Sequence, residues 1–112
     1  MERDARGAHL DTDGDAIILR LAGEIDLDLV SEMRPIVEVE IGRRDCRSVT
    51  VDLGAVTFID CSGLSFLIAI SRLAGEQRAR FRLVNVGARC ARVIELAGLA
   101  EVLGLRGRRE PS

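Results

Sequence analysis

Ser62 is the residue of this chain best placed to do chemistry. It lies in the step Ile59-Asp60-Cys61-Ser62-Gly63-Leu64, which closes one apolar stretch and opens another. By pattern this is a buried strand, a short connection, and an acid-serine-glycine opening of an apolar helix. The first turn of a helix carries backbone N–H groups without intrahelical partners, together with the positive end of the macrodipole. A phosphate on Ser62 would therefore meet donors locally. It would also bring about −1.5 to −2 charges at neutral pH beside Asp60, which repels rather than neutralises, so a protein docked over that turn would be driven off. The same residues also read as a plain helix start, with Asp60 accepting from N–H groups two or three residues on and Ser62 and Gly63 as ordinary first-turn residues. Local chemistry leaves both readings open.

Other chemistry is thinly supplied. All 16 cationic residues are Arg, so a P-loop lysine, a Schiff base and a lysine general base are excluded. His9 is the single histidine and sits in a polar leader, which leaves no Ser-His-Asp or Cys-His constellation and no histidine-based metal site. Glu24, Asp26, Asp28, Asp52 and Asp60 have no electrophile or metal to work with, and they read as caps and surface charge. No catalytic residue is expected, and the chain reads as something other than an enzyme. Cys46, Cys61 and Cys90 are too widely spaced for a zinc or redox motif and too few for a paired disulfide framework, so they read as reduced thiols. For Cys61, at the helix start, small-residue packing ranks ahead of redox sensing.

At 112 residues, 47% hydrophobic and 30% charged, the chain fits one domain that buries its own core in two packed layers. A formal charge of −2 and an aromatic content of 3% (Phe58, Phe66 and Phe81) argue against nucleic acid as a partner. No stretch reads as a signal peptide, a membrane span or a lipidation signal, which predicts a cytoplasmic protein without membrane insertion.

The elements that must position Ser62 alternate between strand and helix. Residues 1–13 read as a polar leader within which 8–10 offer an edge strand. Residues 16–22 read as a strand stopping at Gly23. A helix follows, with Leu29, Val30, Met33, Val37 and Ile41 as its apolar stripe. Pro35 favours a late helix start, capped by Ser31, because a cap at Asp28 would put the proline deep in the helix. Residues 48–53 form the next strand. The helix after Asp60 carries Leu64, Leu67, Ile68, Ser71 and Leu73 down to Gly75. Phe81, Leu83 and Val86 mark another strand, 88–96 a third helix, 102–103 a short final strand, and Arg106-Gly107-Arg108-Arg109 lies in a basic disordered tail over 105–112. Such alternation predicts parallel strands joined by right-handed crossovers, with sites where strands feed helix starts. Gly23-Glu24-Ile25-Asp26 and Ile59-Asp60-Cys61-Ser62-Gly63 both occupy such places, which predicts that they flank one surface.

Over residues 14–104 the chain resembles a STAS domain, in particular the bacterial anti-sigma factor antagonists. The resemblance rests on Gly23-Glu24-Ile25-Asp26, Val51-Asp52-Leu53, Phe58-Ile59-Asp60-Cys61-Ser62-Gly63-Leu64, Leu83-Val84-Asn85-Val86 and Val93-Ile94-Glu95-Leu96-Ala97-Gly98-Leu99. It implies an α/β STAS fold, a small mixed and mostly parallel β-sheet with helices packed on it. It also implies that Ser62 is the substrate of an anti-sigma factor acting as a serine kinase, with ATP and magnesium held by that partner and no cofactor by this chain. The unphosphorylated form would bind the anti-sigma factor and release a sigma factor, and a phosphatase would reverse the modification. Asp26, Asp60, Gly63 and Leu64 are then the contact candidates. Cys61 stands where many relatives carry another small residue, and Pro35 with Glu38-Val39-Glu40 is unusual for the first helix. A second reading is a constitutive STAS interaction or small-ligand-binding subunit of a larger assembly, such as one for lipid transport, without kinase control.

Overall fold

The computed structural model describes residues 2–5, 7–43 and 45–105. Five strands and three helices follow in the order β1 (Glu2–Ala5), β2 (Ala8–Asp13), β3 (Ala16–Ile25), α1 (Leu27–Arg43), β4 (Ser48–Ile59), α2 (Cys61–Glu76), β5 (Arg80–Val84) and α3 (Ala88–Leu96). The strands form one mixed sheet in chain order, β1-β2-β3-β4-β5. β1, β2 and β3 pair antiparallel, whereas β3, β4 and β5 pair in parallel because helices carry the chain between them.

The sheet is sided. Leu10, Ile17, Leu19, Leu21, Val49, Val51, Leu53 and Leu83 point to one face and are buried, while the residues between them are polar or only half-buried. Right-handed crossovers bring α1 and α2 onto the apolar face. There Leu29, Met33, Val37 and Ile41 of α1 meet Leu64, Phe66, Leu67 and Ile70 of α2 in a single core. The third helix contributes Cys90 and Ile94, and the turns after it contribute Ala100, Leu103 and Leu105.

Five sequence expectations are corrected. The first helix begins at Leu27 rather than after Ser31, because Asp26 caps it and burial of Leu29 and Val30 pulls the start forward. Pro35 therefore lies inside the helix and leaves the Ser31 carbonyl without its usual donor. The third strand passes Gly23 and ends at Ile25; register shifts between Arg20 and Ala22 and between Gly23 and Glu24 absorb the irregularity, with Gly23 at φ +75°. β4 runs six residues beyond the expected Leu53, to Ile59, because β3 pairs with it along its whole length. Residues 102–103 lie in turns rather than a strand. Of the disordered tail expected over 105–112, Leu105 is instead buried in the core, and 106–112 lie outside the described residues.

Pro35 is exposed, so its cost is confined to the helix backbone. Pro35→Ala should raise the unfolding free energy by about 1 kcal/mol, a fraction of the ~3 kcal/mol propensity difference between the two residues in a helix interior. Urea titrations of the two proteins measure this directly, and an unchanged or lower midpoint would mean that the fold accommodates the proline without cost.

Candidate functional site

Ile25 and Ile59 are register partners at the ends of β3 and β4. An aspartate follows each of them, and each caps a helix. The Asp26 Oδ1 accepts from the Leu29 N–H at 3.1 Å, and the Asp60 Oδ1 accepts from the Gly63 N–H at 3.0 Å. The carbonyl oxygens of the same two residues accept from the Val30 and Leu64 N–H groups, each at 3.0 Å. Both helices thus begin with the same cap geometry, side by side, at the carboxyl ends of adjacent parallel strands. The prediction that the two acidic steps flank one surface is met.

The equivalence extends one residue further. Counting from the register pair, Asp28 in α1 and Ser62 in α2 occupy the same place, second in their helices. Asp28 shows that this position takes a carboxylate beside a capping aspartate in this protein. The macrodipole favours that charge. Ser62 is half-buried and Cys61 before it is exposed, so Ser62 sits at the rim of this surface. Gly7, Ala22, Gly23, Glu24 and Asp26 line a shallow acidic groove on the β3 side of that rim.

Gly63 and Leu64 are both buried. A Cβ on Gly63 would lie 2.5 Å from Ile59 Cγ1 and 2.9 Å from the Ile25 carbonyl oxygen. The missing side chain is what allows α2 to start directly over the ends of β3 and β4. Leu64 is 8% exposed and belongs to the core. Asp26 and Asp60 are half-exposed, with one oxygen of each committed to its cap.

Two apolar residues at this end were not singled out from the sequence. Leu27, just after the first cap, is 62% exposed, and Phe58, two residues before the second cap, is 52% exposed. Hydrophobic pattern assigns such residues to cores, and only the placement of the strand ends reveals them as surface. Elsewhere, the Asp52 Oδ1 accepts from the Gly54 N–H at 2.8 Å and the Asn85 Nδ2 at 3.1 Å, tying the end of β5 to β4. Burial pushes the Cys90 thiol up, against the opposing pull of Arg89, so this sulfur stays protonated and inert. Among the described residues no group of His, Cys, Asp and Glu side chains is arranged to hold a metal ion, and no helix is long and apolar enough to cross a membrane.

The family model described as "Mlab, STAS domain" matches residues 8–106. An "Anti-sigma F factor antagonist" of Paenibacillus polymyxa is 25% identical over 87 residues, spanning 78% of this chain and 74% of that protein. The anti-sigma factor antagonist SpoIIAA in its unphosphorylated form superposes with a TM-score of 0.77 at 21% identity, over 84% of this chain and 83% of that one. The Bacillus cell fate determinant SpoIIAA in the phosphorylated form superposes with a TM-score of 0.72 at 21% identity, over 84% and 86%.

Two glycines of α2 provide a matched test of the contact with Ile25 and Ile59. Gly63→Ala should lower stability by about 1–3 kcal/mol through overpacking. Gly75→Ala meets nothing within 4 Å and should raise it by about 0.5–1 kcal/mol through helix propensity. Opposite shifts of the urea midpoint are expected; shifts of the same sign would mean that Gly63 is not under steric constraint.

Proposed function

This chain belongs to the STAS-domain family, and we propose that it acts as an anti-sigma factor antagonist whose partner binding is controlled by phosphorylation of Ser62. The unphosphorylated chain binds an anti-sigma factor that is also a serine kinase, so that a sigma factor is released. The kinase, carrying ATP and magnesium, transfers a phosphoryl group to Ser62, and a phosphatase removes it.

The observation that carries this reading is the second position of α2. The helix start welcomes an anion there, as Asp28 in α1 illustrates, so phosphorylation leaves the fold in place. A docked partner experiences something different. Asp26, Asp28 and Asp60 already stand at the same two helix starts, and a phosphate among them turns a moderately acidic surface into a strongly anionic one. The contact surface comprises Asp26, Asp60 and Ser62, with Leu27 and Phe58 as apolar anchors at its edges, while the buried Gly63 and Leu64 position it from below. The protein need supply no catalytic group, since Ser62 is a substrate and not an activated nucleophile. Support comes from the relatives: one is named an anti-sigma F factor antagonist, and SpoIIAA, similar in fold, has been seen in unphosphorylated and phosphorylated forms. The protein then works in the cytoplasm, where its partners meet RNA polymerase subunits.

A constitutive STAS subunit of a larger assembly is the second reading, and the Mlab description of the matching family model is what favours it. The two separate cleanly. Incubation with lysate of the native host and ATP, followed by site-resolved phosphopeptide mass spectrometry, should find phosphate on Ser62 and none in Ser62→Ala. An unmodified Ser62 in a lysate shown to phosphorylate another antagonist would transfer support to the constitutive reading. Ser62→Asp should keep stability within about 0.5 kcal/mol of the parent while weakening partner binding at least about tenfold.

A further inference from the structure

The face of the sheet turned away from α1 and α2 carries a pattern that the switch does not use. Register partners share a face, so its rows can be read across the strands. One row holds Asp13 on β2, Ala16 on β3, Ser48 on β4 and Arg80 on β5. The next holds Asp11, Ile18, Thr50 and Arg82, and the third holds His9, Arg20, Asp52 and Val84. Every residue of these rows is exposed or half-exposed, whereas the opposite face is buried. Charge is segregated along the two longer-range rows, acidic at the β2 margin and basic at the β5 margin, with short or uncharged side chains between.

We propose that two copies of this chain associate through this open face, about a twofold axis running along the strands between β3 and β4. Rotation about that axis lays β2 on the partner's β5 and β3 on the partner's β4, with rows preserved. Asp13 then faces Arg80, Asp11 faces Arg82 and Arg20 faces Asp52 across the interface, and each pair occurs twice by symmetry. Ile18 meets Thr50 and Ala16 meets Ser48 in the middle, where small side chains let the sheets come to about 10 Å. The alternative in-plane dyad, perpendicular to the strands, would lay each strand on its own copy and set acid on acid and arginine on arginine. The charge pattern therefore selects both a second copy as occupant and one orientation for it. Within one chain, Arg20 and Asp11 approach only to 4.0 Å in a half-exposed pair, so both retain hydrogen-bonding capacity for a facing sheet. Ser62 lies outside these rows, at the ends of the strands, and stays accessible in the pair.

Sedimentation equilibrium of the full chain over a concentration series decides the matter, with Asp13→Arg, Arg80→Asp and the double variant alongside. These two residues take no part in the Arg20–Asp11 pair, and both are exposed, so the fold is expected to survive each change. The parent should reach twice the monomer mass, each single reversal should raise the dissociation constant at least about tenfold, and the double variant should return to within about threefold of the parent. A parent that stays monomeric to about 1 mM, single reversals without effect, or a double variant no better than the singles would each overturn the proposal.

Discussion

The structure depends on one close approach: the first turn of α2 rests on the ends of β3 and β4, in space that any side chain at position 63 would need. A Cβ there would collide with Ile59 and with the Ile25 backbone. With glycine in place, the Asp60 cap closes on the Gly63 N–H, and the helix start is pinned beside the Asp26-capped start of α1. Strand register and helix capping thus act on the same few atoms. Moving either helix by a turn would bury a capping carboxylate or open the core around Leu29 and Leu64.

In the proposed switch, that arrangement would let a modification change binding without changing the fold. A phosphate on Ser62 would enter a place where the helix dipole accepts negative charge, and the protein already puts Asp28 at the corresponding position of α1. Its effect would be felt at the surface formed by the two capping carboxylates with the exposed Leu27 and Phe58. Burial of Gly63 and Leu64 means that their side of any contact is backbone or nothing. The architecture needs both residues, Gly63 for the close approach of α2 to the strand ends and Leu64 for the core.

Much of this was legible in the sequence. The Asp60 cap, the apolar stripe of Leu29, Met33, Val37 and Ile41, and the pairing of two acidic steps on one surface follow from residue type and spacing, whereas the Asp26 cap was hidden behind the signal of Pro35. The misreadings share a cause, which is tertiary structure overriding a local signal. Pro35 argues locally for a late helix start, yet core burial of Leu29 and Val30 outweighs one lost hydrogen bond. Gly23 reads as a strand stop, but its positive φ lets the strand continue through an irregularity. Residues 54–58 lack an alternating pattern because both their faces are largely exposed, and their strand character comes from β3 alone. The exposure of Phe58 and Leu27 could not be read from hydropathy at all.

Ser62 as the controlling atom is tested most directly by calorimetric titration of the anti-sigma factor with two forms of this chain, unmodified and phosphorylated at Ser62 alone. The unmodified chain should bind, and the phosphorylated chain should bind at least about a hundredfold more weakly while keeping the same near-native amide spectrum. Equal affinity of the two forms would contradict the account, and so would a loss of binding that comes with a loss of fold.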